Sequence, residues 1–417
     1  MHGKTLIIFV SVIIVALVLQ TAALFLASVI RRGHHSRKYR KLDRLRATCR
    51  AKLLAAFESG QPPLDCKDEF AATPGSPQWQ ATKEVLLALI SEGKYEAQAG
   101  RFFGSLGYTM FCEERLGNSS PQMRAESIHN LGRMKSVLSV PKLIPLLAEH
   151  NGEIASVTMR ALSNIGGERA LRAIVGRLPH LLGNGAVSPK AVETALLAFG
   201  PSVLHPLTEH WGAFANPRVA TSVLEVLSRL PADARAVPPA LEALTAESPE
   251  VRSKALKVLG RREYLLPWPD LPERMVPLLH DTVWYVRLQA LRTLRELGCE
   301  RTVTDVGKLL YDEKWQVRNE AARALLQFRE RSFDILLEAL TDSDRYAKDS
   351  VCEEIVNTDF SPRLMGYCEG EDPVLREKAG RILEAMRSNG FTAPFERGAS
   401  AGGNGGKRRD EERRNGL

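Results

Sequence analysis

DTVWYVRLQALRTLREL (Asp281–Leu297) and DEKWQVRNEAARALLQF (Asp312–Phe328) align without a gap, 31 positions apart. Both carry an aspartate, a tryptophan, Val-Arg, an alanine and a leucine in the same register. With the valine of Val-Arg as a marker, equivalent positions fall at Met123, Ile154, Ser188, Val219, Val251, Val286, Val317, Ala347 and Val374, of which Ser188, Ala347 and Val374 are placed partly by spacing. Eight residues beyond each marker stands Leu or Ile, from Leu131 and Leu162 through Leu294 and Leu325 to Ile355 and Ile382. Marker, +4, +8 and +11 share one face of a helix. A glycine often ends it, as at Gly166, Gly200 and Gly298, where a left-handed cap is expected. A second apolar helix follows, for example VPKLIPLLAE (Val140–Glu149) and FDILLEAL (Phe333–Leu340). Such a pair cannot bury its apolar face alone, whereas stacked neighbours can.

The motif D-x4-V-R-x2-A-x3-L is clearest at Asp281–Leu294 and Asp312–Leu325, and VRSKALKVLG (Val251–Gly260) and MRAESIHNLG (Met123–Gly132) follow it. Over residues 118–388 the pattern resembles the HEAT repeat of the armadillo-like superfamily, in the short form named after phycobilisome lyases. The resemblance implies an all-α fold, a right-handed α-solenoid of about nine HEAT-like helix pairs. Residues 79–117 are read as an N-terminal capping helix pair and 118–395 as the solenoid.

The flanks differ from this body. The formal charge of +8 is concentrated in residues 31–52, at +9, and in the tail from Arg397, at +3, so that residues 53–396 carry −5. Residues Thr5–Ile30 contain no charge. As a helix they would be about 39 Å long, against a hydrocarbon core of about 30 Å. Residues 1–32 are therefore read as a transmembrane anchor. The cations after it predict a single-pass protein of the inner (cytoplasmic) membrane, N-terminus outside and solenoid in the cytoplasm. Residues 33–59 form a basic juxtamembrane amphipathic helix with Leu42, Leu45, Cys49, Leu53 and Phe57 on one face. Arg31, Arg32, Arg37, Lys38, Arg40 and Lys41 are candidates for lipid headgroups; alternatively they only set topology while the apolar stripe packs on the domain behind. Residues 60–78 are a Pro/Gly-rich linker and 396–417 a disordered, charged tail. The six scattered cysteines contain no CxxC pair, which suits reduced thiols.

Most conserved-looking chemistry in the repeat reads structurally. Asp281 and Asp312 precede a helix and can cap it, and Arg124, Arg252, Arg287, Arg318 and Lys348 share a column that can pair with acids of adjacent units. Trp284 and Trp315 sit two residues before their markers, with Tyr346 nearly equivalent in the next unit. They are either hydrophobic staples at the helix entry or an aromatic ridge for a partner. His205, His210 and Trp211 fall on one second helix as a candidate polar patch. The deoxyhypusine hydroxylase family binds iron through His-Glu dipeptides, and this chain has only the reversed Glu149-His150 and Glu209-His210. No HExxH, GxSxG, Walker loop or GxGxxG occurs, so no catalytic, metal or cofactor residue is assigned. An acidic body is a poor footprint for DNA. The expected function is a membrane-tethered HEAT-repeat scaffold that binds a protein partner, with membrane-proximal enzymes or signalling proteins as the partner class. The alternatives are a lyase- or hydroxylase-type HEAT-like enzyme and a nucleic-acid binder using the basic flanks.

Overall fold

A computed structural model describes residues 40–60 and 67–391, together with Gln20, Thr21 and Phe25. Among the described residues every regular element is a helix. The sequence sets many of the helix starts directly. The side chains of Ser76, Ser120, Asn151, Ser188, Asn216, Asp344 and Asp372 each accept a bond from an N–H of the first turn, relieving donors that the helix itself cannot satisfy. Proline follows the cap at residues 77, 121, 189, 217 and 373, where its fixed φ suits the first turn.

In most of the first helices a buried residue lies three positions beyond the cap. Ile154, Thr158 and Leu162, then Val219, Val223 and Leu227, then Val317, Ala321 and Leu325 are all buried. Burying one such leucine contributes about 1.5–3 kcal/mol. This rule corrects two of the spacing-based markers. Ser188 is exposed and serves as the cap of Pro189–Leu197, its hydroxyl accepting from Ala191 N–H. The face of that helix is carried instead by Val192, Ala195 and Leu196. In the last repeat Val374 is exposed. Asp372 is the cap, and Arg376 rather than Leu375 bonds the carbonyls of Gly370 and Glu371, as the repeat arginine does elsewhere; the marker is therefore Leu375.

The chain packs as two compact units, the first ending at Val187 and the second beginning at Ser188. In the first, residues 40–58 are helical and bury Leu42, Cys49, Leu53, Ala56 and Phe57. The Phe57 ring meets Tyr95 at 5.4 Å and Phe102 at 5.1 Å, and Arg50 pairs with Glu92 at 2.9 Å. The apolar stripe of this segment thus packs on the domain behind it. The short helix Lys67–Phe70 follows, and then Pro77–Ser91, Glu96–Ser105 and Tyr108–Glu114. Tyr108 stacks on Trp79 at 3.7 Å and donates its hydroxyl to the Trp79 carbonyl. The helices Pro121–Arg133 and Gly152–Ile165 then approach so closely that a Cβ on Gly132 would lie 2.6 Å from Ala161 Cα.

In the second unit the first helices are Pro189–Leu197, Pro217–Arg229, Pro249–Leu259, Trp284–Leu297, Trp315–Gln327, Arg345–Asn357 and Pro373–Ser388. From Pro189–Leu197 to Arg345–Asn357 each packs on the next. The second helices are shorter and most enter through a 3-10 turn, for example Ala234–Ala236 before Val237–Ala243 and Arg329–Ser332 before Phe333–Thr341. Each unit is thus a solenoid-like stack of helix pairs. The proline-rich YLLPWPDLPE segment interrupts the pattern, leaving Leu266 on the surface while Tyr264 is buried.

The expected single-pass membrane localisation is corrected. No helix among the described residues is long and apolar enough to cross a membrane. A crossing needs about 20 consecutive apolar residues, whereas the helix over 40–58 is interrupted by Arg40, Lys41, Asp43, Arg44, Arg46, Arg50 and Lys52, and Glu168–Gly183 and Pro373–Ser388 have 16 residues and include charges. Apart from Gln20, Thr21 and Phe25, the anchor segment Thr5–Ile30 lies outside the described residues, as do residues 396–417 of the charged tail.

Candidate functional site

The shared arginines and aspartates build a structural ladder in the second unit. Arg252 holds Asp281 through two bonds of 2.7 and 2.8 Å, and Arg287 holds Asp312 through two of 2.6 and 2.9 Å. Each arginine also reaches back to carbonyls of its own loop, Arg252 to Ala246 and Glu247, Arg287 to Asp281 and Thr282. Each aspartate in turn accepts an N–H at the following helix entry, Val283 or Lys314. Burial opposes ionisation of Asp281, but the bonds from Arg252 and Val283 outweigh it and hold its carboxyl below the usual range. In the first unit Arg124 also pairs with an acid of the next loop, Glu149, through Nη2 alone, while its Nε donates to the Leu116 carbonyl.

The ladder stops at Arg318. Its Nη1 bonds the carbonyls of Asp312 and Glu313, yet its Nε is buried without a hydrogen-bond partner. Its guanidinium lies over the Tyr346 ring, 5.1 Å from the centroid. The carboxylate at the ladder position of the next repeat, Asp342, accepts the Asp344 N–H as Asp281 and Asp312 accept theirs, but not the Arg318 guanidinium.

The aromatic row begins where the ladder ends. Trp284 is half-buried and meets Tyr285 edge-on at 5.9 Å. Trp315 is 60% exposed and Tyr346 67% exposed. A staple residue is covered by its partner near the helix entry, so exposure of this size on large rings does not fit that role. Tyr311, which the sequence reading did not single out, is also exposed one residue before Asp312. Nothing in the repeat pattern marks it, since its exposure depends on how the second helix ends.

His205, His210 and Trp211 are not gathered into one polar patch. His205 is exposed beside Glu209 at 3.9 Å, while His210 Nδ1 faces the Pro206 carbonyl at 3.0 Å. Trp211 turns elsewhere. Its Nε1 donates to Glu242 at 3.1 Å, its ring meets Phe214 edge-on at 6.4 Å, and it lines a cavity of about 440 Å³ that neither histidine lines. Phe214 and Glu242 were missed because neither occupies a repeated column. Among the described residues no group of three His, Cys, Asp or Glu side chains is placed to hold a metal ion. Of the basic neck, Arg40 and Lys41 are exposed at the start of the helix over 40–58. Arg31, Arg32, Arg37 and Lys38 lie outside the described residues.

Comparison with known proteins gives a fold relationship. A family model described as HEAT repeats matches residues 272–356, within the second unit. No curated protein matches the sequence. Among solved structures, an engineered protein is similar at 18% identity and a TM-score of 0.37, over 75% of this chain and 97% of that one. Kap121p bound to Pho4p is similar at 13% identity and a TM-score of 0.46, over 78% of this chain and 46% of that one. Kap121p alone gives 13% identity and a TM-score of 0.37 over 74% and 45%. The chain spans about half the length of the Kap121p chains it matches. At TM-scores below 0.5 these likenesses carry no argument about what the chain binds.

Proposed function

We propose that this chain is a non-enzymatic protein-binding scaffold, and that the row Trp284, Trp315 and Tyr346 belongs to its binding surface. One observation carries the reading: Trp315 and Tyr346 are large rings that the fold leaves in solvent, although the buried Val317 and Ala347 beside them fix the register of their helices. Aromatic side chains supply contact area at low entropic cost and dominate the energetics of protein interfaces. The HEAT match over residues 272–356 supports this reading by placing the row on repeats of a type that presents extended surfaces.

The test places a photo-crosslinking amino acid at position 315 in cells of the source organism. A discrete protein is captured there, and the same protein is not captured when the probe replaces the exposed Leu266 on the proline-rich segment. Purified Trp315→Ala/Tyr346→Ala protein keeps its melting temperature within about 2 °C, as expected of exposed substitutions, and no longer binds the captured protein. A large loss of melting temperature with binding intact assigns the rings to stability and refutes the reading.

A further inference from the structure

The cavity beside Trp211 lies between two consecutive repeats of the second unit, and its lining has a marked chemical asymmetry. Its apolar walls are Trp211, Phe214, Pro217, Ala243, Ala246 and Val251. Its charged members are Glu242 and Glu247, both exposed, and no lysine, arginine or histidine lines it. Arg252 reaches the carbonyls of Ala246 and Glu247, but its charge is matched by Asp281. Glu242 is held in place by the indole N–H at 3.1 Å. That bond sets the carboxylate at the edge of the indole ring. The Phe214 ring stands at 87° to it, giving two aromatic surfaces at right angles next to two carboxylates.

We infer that this cavity is a binding site for an organic cation, an ammonium or guanidinium group carried on an apolar stem. The stem replaces water against the alanine, proline and valine walls, and the charge reaches the aromatic faces and Glu242. Cations are attracted to the face of an indole ring by its quadrupole, and long cationic side chains bury their stems while keeping the head near solvent and counter-charge. The volume of about 440 Å³ falls in the range of small-ligand pockets, roughly 300–1,000 Å³. A carboxylate or phosphate is disfavoured by the two glutamates. Two sources share this chemistry, a free alkyl amine and a lysine or arginine side chain of a partner peptide. The site is separate from the Trp315–Tyr346 row and deepens the scaffold reading without depending on it.

The test uses the full chain labelled with 5-fluorotryptophan, whose five residues give separate ¹⁹F signals; that of Trp211 is identified by its absence in Trp211→Phe. Four probes are titrated: hexylamine, the peptide acetyl-Leu-Arg-Leu-amide, hexanol and hexanoate. The Trp211 signal shifts saturably with hexylamine, the peptide or both. Response to hexylamine alone identifies a free amine as the ligand class, and response to the peptide alone identifies a partner side chain. The variant Glu242→Gln/Glu247→Gln keeps an acceptor for the indole N–H but loses both charges. It binds about tenfold more weakly, the loss expected from two partly exposed ion pairs. Trp315→Ala/Tyr346→Ala protein binds the probes unchanged, so failure of the aromatic-row reading leaves this result standing. Equal shifts with hexanol or hexanoate, no shift with any probe, or undiminished binding by the glutamine variant overturns the proposal.

Discussion

Replacing Asp312 by alanine tests whether the motif shared by Asp281–Leu297 and Asp312–Phe328 is structural. The Asp312 side chain is 5% exposed and that of Arg287 11%. The substitution leaves the guanidinium buried, with its Nη1 bonds to the Asp281 and Thr282 carbonyls and a 3.8 Å approach of Nη2 to the exposed Glu313. Breaking a buried pair from one side costs about 3–5 kcal/mol. Loss of the acceptor for Lys314 N–H adds about 0.5–1 kcal/mol, at the low end because Lys314 is exposed and water can replace the carboxylate. The expected loss is about 4 kcal/mol, or roughly 8–16 °C in melting temperature for a unit of this size. Urea unfolding followed by circular dichroism measures the total. Because stacked repeats can unfold piecewise, hydrogen exchange over Trp284–Leu297 and Trp315–Gln327 shows whether the loss is local. Arg287→Met combined with Asp312→Leu removes both charges and recovers most of the loss, since a buried pair contributes little net stability over an apolar one. A cost below about 1 kcal/mol for Asp312→Ala would falsify the assignment of this pair to the fold.

Two further outcomes follow from packing and charge. Gly132→Ala lowers the melting temperature, because its Cβ would meet Ala161 Cα and Cβ at 2.6 and 2.8 Å and backbone must move; Gly176→Ala, in a helix with no atom within 4 Å of the new Cβ, is neutral or stabilising by about 0.5–1 kcal/mol. Differential scanning calorimetry separates them, and equal effects would count against the close helix approach. In acid, hydrogen bonds from the Arg235 side chain and backbone hold Asp233 down at about 2, and Asp281 is also depressed. A depressed carboxyl adds stability that is complete above its unfolded value and is lost as pH falls through the folded one. The melting temperature therefore declines from about pH 4 towards 2, and Asp233→Asn makes that decline shallower; an unchanged slope removes Asp233 from the account.

The periodic part of the fold was legible because stacking repeats one physical requirement. The +8 column from Leu131 to Leu325 is buried at every position, since each helix must present the same face to its neighbours. Reading failed where spacing replaced chemistry. At Ser188 and Val374 the distance from the previous marker suggested one register, while the cap-proline pairs Ser188-Pro189 and Asp372-Pro373 set another. In these two helices the buried face is carried by Val192, Ala195 and Leu196 and by Ala379, Ile382 and Leu383, while the positions three beyond the caps, Ala191 and Leu375, are half-buried. The helix over 40–58 was legible as amphipathic, but only the structure shows its stripe covered by Tyr95 and Phe102. The Trp211 cavity was beyond reach for a different reason. It is made by the end of one second helix and the start of the next repeat, and Glu242 joins it through a single bond spanning 31 residues.

The exposed rings and the broken ladder have a common physical explanation. A helix entry in this fold must be tied to its neighbour, and Arg252–Asp281 and Arg287–Asp312 do so at successive entries. Between Trp315–Gln327 and Arg345–Asn357 the tie is made away from the entry, where Arg323 donates to both oxygens of the buried Glu354 at 3.1 and 2.7 Å. Buried Glu320 extends that connection backwards, accepting from Arg295 at 2.8 Å and Arg292 at 3.5 Å. The earlier of these interfaces in the chain has the entry tie Arg287–Asp312 as well, whereas at the later one Arg318 is not bonded to Asp342. Its guanidinium is spent instead on the face of Tyr346, which holds that ring at the surface beside the entry that Trp315 opens. Charged ties therefore occur both at the helix entries and further along the same helices.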